Sequence, residues 1–136
     1  SESTETVQRR QRLNNSTGSG ADAAMRRVWL GPADTVTPLH RDPYHNVLCQ
    51  VWGTKTIHMF RSEDAARVYP FPGGFLRNTS QVDVEAPDSE QFPLFASTPR
   101  WEVRLGPGEM LFMPSRTWHY VRATTPSLSV SYWWGR

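Results

Sequence analysis

Two residue types are almost missing from this chain. Its 136 residues include one cysteine, Cys49, and one lysine, Lys55. A lone cysteine excludes an internal disulfide framework and fits a reducing compartment. The Asn-x-Ser/Thr matches at Asn14, Asn15 and Asn78 therefore carry little weight as glycosylation acceptors. Long apolar runs are missing too, which leaves no candidate for a spanning helix or a secretory signal, and no membrane partner is expected. The formal net charge is only +2, with no long basic block, so charge gives no push toward nucleic acid. Glycine-rich phosphate loops, nucleophile elbows and zinc-finger spacings are also absent. The first residue, Ser1, is not Met, as expected of a processed or excised piece.

The lysine shortage is informative. Fourteen of the fifteen basic residues are arginine, a bias that reflects genomic base composition. A lysine kept inside an apolar strand against that bias asks for a chemical reason.

The length suits one domain. Residues 1–24 are rich in Ser, Thr, Gln, Asn and Arg without a periodic apolar face, and are expected to form a disordered leader or linker. From Met25 the pattern becomes short β-type runs punctuated by Gly and Pro. Strands are expected over 26–30, 35–40, 45–52, 54–60, 101–105, 109–113, 118–122 and 127–134. Residues 61–100, rich in Pro, Asp, Glu and Ser, form a long insert between strands four and five. Its Ser62-Glu63-Asp64 start is expected to cap a short helix. Eight short strands leave no room for a parallel β/α layout, so an all-β, eight-stranded antiparallel barrel or jelly roll is expected for 25–136.

His40 and Asp42 lie two apart on an extended chain, hence on one face of one strand. His119, in the apolar and aromatic run GEMLFMPSRTWHYV, is the obvious third ligand. Two imidazoles and a carboxylate on one side of an octahedron leave three adjacent positions open, the arrangement of non-haem Fe(II) oxygenases. Tetrahedral zinc with a water is the alternative. Alternation places Lys55 with Ile57 and Met59 on an apolar face, where an unpaired ammonium is costly. The far carboxylate of a dicarboxylate co-substrate would relieve that cost; a lysine snorkelling from a barrel mouth is the bland alternative. Asn46 is in phase with Asp42 and could bond the same ligand or cap a turn after Pro43. Thr37 could offer its hydroxyl. Ser127, Ser129, Ser131 and Trp133 share one face of the last strand, either a pocket wall or an exposed edge. His58 is expected to be a plain surface residue, and Cys49 an inert buried thiol. Trp29, Trp52, Trp101 and Trp118 suit core and rim positions better than a base-stacking platform.

The stretches VWLGPADTVTPLHRDPYHNVLCQVWGTK, NTSQVDVEAPDSEQFPLF and GPGEMLFMPSRTWHYVRA with SVSYWW resemble the JmjC-domain, cupin-like dioxygenases over about residues 25–136. The likeness is greatest to JmjC-only protein arginyl hydroxylases, a group also described as histone lysine demethylases and as peptidases. It implies a double-stranded β-helix, iron ligands His40, Asp42 and His119, and 2-oxoglutarate contacts at Trp29, Thr37, Asn46, Lys55 and Trp133. It further implies Fe(II), 2-oxoglutarate and O₂ as cofactor and co-substrates, and a protein or peptide substrate such as a histone or another arginine-containing protein. A chromatin-linked location in the nucleus and/or cytoplasm follows, with no direct nucleic-acid binding. N-terminal strands and helices that complete the pocket in such proteins have no match in the leader. Arginyl hydroxylation is expected ahead of N-methyl-lysine demethylation. A catalytically inactive binding module and a tRNA-modifying oxygenase are the alternatives.

Overall fold

The computed structural model describes residues 24–135; the expected leader falls, except for Ala24, outside them. Eight strands form two four-stranded antiparallel sheets. They are β1 (Met25–Gly31), β2 (Val36–Arg41), β3 (His45–Trp52), β4 (Lys55–Phe60), β5 (Trp101–Leu105), β6 (Met110–Met113), β7 (Trp118–Ala123) and β8 (Ser127–Trp134). One sheet runs β1-β8-β3-β6 and the other β2-β7-β4-β5. Every expected strand is present, with ends shifted by a residue at most, and the jelly-roll expectation holds.

Period-2 burial explains the layering. Along β4, Lys55, Ile57 and Met59 are buried while Thr56 and His58 are half-buried. Leu48 and Met113 from the first sheet pack with Ile57, Met59 and Leu105 from the second, so this cluster fills the space between the sheets. On β8 the serines and Trp133 are at most 7 % exposed and face the same interior. That face is therefore a pocket wall and not an exposed edge.

A second core lies on the opposite face of the β2-β7-β4-β5 sheet. Leu39, Phe60, Trp118 and Tyr120 project there and meet Val68, Val82, Val84, Phe92 and Phe95. Residues 61–100, expected as a long insert between strands four and five, thus supply half of a hydrophobic cluster. Two 3-10 helices, Ser62–Arg67 and Gly74–Leu76, are their only helical turns among the described residues. The first is preceded by Arg61 as N-cap, with no side-chain cap bond. Ser62 instead bonds Glu63 Oε2, which corrects the capping expectation. Phe95 is fully buried, its ring 5.4 Å from that of Phe60. Phe95→Ala should cost about 3–5 kcal/mol in urea denaturation, whereas truncating a side chain on a loose surface loop would cost almost nothing.

Three other expectations are corrected. Cys49 pairs with Val130 and Met110 on the outward face of the first sheet and is half-buried. His58 is not a plain surface residue, because it packs edge-on against Tyr120 with its Nδ1 buried. Trp52 and Trp101 are more than half exposed, so they are surface aromatics and not core.

The β3–β4 turn depends on Gly53. Its φ is +73°, and a Cβ there would lie 2.1 Å from the Pro126 carbonyl oxygen. That turn docks on the β7–β8 turn through Thr54 N–H to Thr125 Oγ1 and Thr124 N–H to the Thr54 carbonyl, both 2.9 Å. Gly53→Ala should lower stability by roughly 2–4 kcal/mol, read as a fall in melting temperature.

Candidate metal centre

The strands β2 and β7 pair antiparallel, and the register sets His40 directly opposite His119. Residues far apart in the chain thereby become cross-strand neighbours, with ring centroids 4.3 Å apart. A register shift between Thr37 and His40 interrupts the ladder just before the histidine, a device that re-aims side chains near functional sites. Asp42 follows the end of β2, where its carbonyl accepts the Arg116 N–H at 2.8 Å. The segment Asn78-Thr79-Ser80 runs along the other edge of β2. Thr79 bridges to His40, Ser80 N–H reaches the Leu39 carbonyl, and Asn78 Nδ2 donates to the Arg41 carbonyl. Strand β2 is held from both sides.

Both imidazoles are oriented in the same way. His40 Nδ1 lies 2.8 Å from the Pro38 carbonyl and His119 Nδ1 2.9 Å from the Thr117 carbonyl. A carbonyl can only accept, so each Nδ1 carries the proton and each Nε2 presents a lone pair. Those two Nε2 atoms stand 3.4 Å and 3.7 Å from Asp42 Oδ2, which is buried and accepts no hydrogen bond. Three electron-pair donors thus face one point, all within 4.8 Å of one another. Atoms bound to one ion at about 2.1 Å lie roughly 3–4 Å apart. The donor set fits a divalent cation, and a cation at that point would satisfy the orphaned oxygen.

The electrostatics agree. Burial pushes His119 down to about 4, and the neighbouring His40 charge adds to the effect, so this imidazole stays neutral and available as a ligand. Burial alone would lower His40 as well, but the Asp42 carboxylate and the Pro38 and His119 carbonyls outweigh it and leave it raised. Burial would raise Asp42; His40, His119 and Arg27 reverse that and hold it below the usual carboxylate range.

The five expected 2-oxoglutarate contacts divide into two groups. Trp29, Thr37 and Lys55 line one cavity of about 60 Å³, together with Val121, Ala123 and Ser127. Lys55 is only 8 % exposed, and no carboxylate lies within ion-pair distance of it among the described residues. Burial pushes its pKa down to about 8. Asn46 and Trp133 are not on that cavity wall. They are cross-strand partners, and both are buried with a polar atom, Asn46 Oδ1 and Trp133 Nε1, that has no partner. Between the two groups, Ser131 Oγ accepts the Trp29 Nε1–H at 3.0 Å and Ser129 donates to Gln50 Oε1 at 2.6 Å. The Trp133 Nε1–H, a donor without a partner, and Lys55, a cation without one, match the polarity of a dianion.

Sequence patterns missed two neighbours of Trp133. Arg27 on β1 places its guanidinium 4.1 Å from the ring centroid, and Tyr44 stacks at 5.7 Å. In sequence, alternation along β1 puts Arg27 in phase with Trp29, but an exposed arginine near a strand start carries no distinctive signal.

Two antiparallel sheets enclosing a His-x-Asp…His cluster define a cupin-like domain. The family model described as "Cupin-like domain" matches residues 2–136, and the chain belongs to that family. Its relatives include Jumonji C domain-containing protein 5 of Drosophila melanogaster, 47 % identical over 108 residues, which are 79 % of this chain and 27 % of that protein. Lysine-specific demethylase 8 of Xenopus tropicalis is 49 % identical over 107 residues, 79 % of this chain and 24 % of that protein. HSPB1-associated protein 1 of Homo sapiens is 36 % identical, over 78 % of this chain and 22 % of that protein. The JmjC resemblance is borne out, and the chain spans about a quarter of the length of these relatives. Among solved structures, the DMSP lyase DddQ from Ruegeria pomeroyi DSS-3 aligns with a TM-score of 0.51 at 20 % identity, covering 85 % of this chain and 40 % of that one. That likeness concerns the fold alone. Among the described residues no helix is long and apolar enough to cross a membrane.

Proposed function

We propose that this chain is the JmjC-type core of an Fe(II)- and 2-oxoglutarate-dependent oxygenase that acts on a protein side chain. The observation that carries this is the convergence of His40 Nε2, His119 Nε2 and the unbonded Asp42 Oδ2 on one point. Bound Fe(II) with 2-oxoglutarate supplies an O₂-activating centre able to oxidise an unactivated C–H bond. The chain's own residues do the rest. The two Nδ1–carbonyl bonds lock the ring orientations, Asp42 supplies the anionic ligand, and Trp133 through Nε1–H and Asn46 through its Nδ2 amide donate to the co-substrate. Lys55 neutralises the distal carboxylate, and Thr37 and Trp29 close the wall around it. The buried apolar cluster beneath excludes water.

For substrate, hydroxylation of an arginyl side chain is our first proposal, from the sequence resemblance, and demethylation of N-methyl-lysine the second, which relatives named lysine-specific demethylases support. The reducing-compartment signature of a single cysteine supports an intracellular site of action, in the nucleus and/or cytoplasm. The test is succinate formation from 2-oxoglutarate by the purified chain with Fe(II) and ascorbate, alone and with arginine- and methyl-lysine-containing peptides. Turnover stimulated by one peptide class and a matching mass gain or loss on it is expected. A folded chain that binds metal and keto acid but forms no succinate would identify a binding module instead.

A further inference from the structure

Lys55 is not the only cation that the fold turns inward. Arg27 lies directly opposite Ser131 in the β1–β8 ladder, and Ser131 is buried on the inner face of that sheet. Opposed residues share a face, so the arginine side chain also starts toward the space between the sheets. The register fixes its level along the barrel. Gly31 and Ser127 from one sheet, with Lys55 and Ala123 from the other, line the same cavity. Four residues along β1 from Gly31 comes Arg27, and four along β4 from Lys55 comes Met59, opposite His119. Arg27 therefore sits level with the metal-facing histidines, roughly 13 Å along the strands from the lysine end. Two further observations agree. The guanidinium is centred 4.1 Å from the Trp133 ring. Its charge is also felt at Asp42, where burial would raise the carboxyl and Arg27, after His40 and His119, helps to hold it down.

We propose that Arg27 binds the metal-proximal carboxylate of the keto acid, an inference that rests on reading the site as a 2-oxoglutarate centre. A cation beside a divalent ion is repelled by it unless an anion lies between them. The carboxylate at the metal end of the co-substrate is that anion. When one of its oxygens goes to the metal, the other remains free to accept a hydrogen bond. The contact with Trp133 engages the guanidinium's charge and uses none of its five N–H donors. Lys55 and Arg27 thus divide a dianion, one at each end. The division separates two kinds of selectivity. Lys55 recognises the second carboxylate that distinguishes 2-oxoglutarate from monocarboxylic keto acids, whereas Arg27 strengthens binding of any 2-keto acid.

The experiment is calorimetric titration of the Mn(II)-loaded full chain with 2-oxoglutarate and with 2-oxobutyrate, which lacks the distal carboxylate. Arg27→Met keeps the apolar stem and should weaken both acids by the same factor, about tenfold, the loss expected of one charge-assisted hydrogen bond. Lys55→Met should weaken 2-oxoglutarate alone. Arg27→Lys should recover part of the loss for both acids. Mn(II) affinity of the empty chain separates a binding role from a structural one. In Arg27→Met it should hold or tighten, because a like charge has gone. Unchanged affinity for both acids in Arg27→Met overturns the proposal. So does a loss confined to 2-oxoglutarate, which would put Arg27 at the distal end, or a parallel fall in Mn(II) affinity, which would make it a structural support. A wild-type chain that binds Mn(II) and neither acid would instead overturn the 2-oxoglutarate reading itself, and this proposal with it.

Discussion

Replacing His119 with alanine should remove ferrous-ion binding and with it 2-oxoglutarate turnover. Changes that only disturb the orientation of a ligand cost about 10–100-fold in affinity or activity, so loss of the ligand itself should exceed roughly a hundredfold. Stability supplies a second readout. An ion that binds the folded chain alone raises the melting temperature by mass action, so wild type should be stabilised by Fe(II), or by redox-inert Mn(II), and His119→Ala should not. His58→Ala provides the control, removing an imidazole on the opposite face of the sheet. Metal affinity should also weaken as pH falls toward neutrality and below. His40, raised by Asp42, takes up a proton at higher pH than an ordinary histidine, and metal binding must displace it. If His119→Ala bound metal as tightly as wild type, the centre would lie elsewhere.

The second large effect concerns Lys55. With the chain empty, its ammonium is buried without a carboxylate, and burial lowers its pKa to about 8. The sign follows from linkage. The unfolded lysine holds its proton up to about 10.4, so the unfolded state binds more protons between roughly 8 and 10.4 and the empty fold gains stability as pH rises through that window. An anionic co-substrate reverses the balance by giving the charged lysine a partner. 2-Oxoglutarate affinity should therefore be flat below about pH 8 and fall close to tenfold per unit above it. Lys55→Met, which keeps the apolar stem and removes the charge, should weaken 2-oxoglutarate binding by at least roughly thirtyfold while sparing metal affinity. Calorimetric titration of keto acid into the Mn(II)-loaded chain measures both quantities, and an unchanged dissociation constant in Lys55→Met would remove this residue from the site.

Much of this is legible in the chain because alternation governs most of the fold. In β3, β4 and β8 every second side chain is buried, so period-2 patterning locates the strands and the inward faces of Lys55, Asn46 and Trp133. The candidate ligands His40, on β2, and Asp42, just past its end, can be read from spacing, and His119 from the aromatic run around it. Residues 61–100 are harder to read. Their core residues Val68, Val82, Val84, Phe92 and Phe95 follow no strand or helix period. They are placed by turn bonds such as Phe92 N–H to the Asp88 carbonyl and by Ser80 Oγ bonding the Val68 carbonyl. Cys49 escapes the pattern because Leu48 and Val51 suggest burial, whereas the β3 pleat turns it outward.

The solitary lysine has a practical consequence. An amine that deprotonates near pH 8 is nucleophilic under mild conditions, and no other lysine competes with it. Lys55 should therefore be the one lysine of these 136 residues that acylating reagents mark. Protection of Lys55 by graded keto acids would map the occupancy of the pocket by mass spectrometry, without a substrate, a turnover assay or an engineered label.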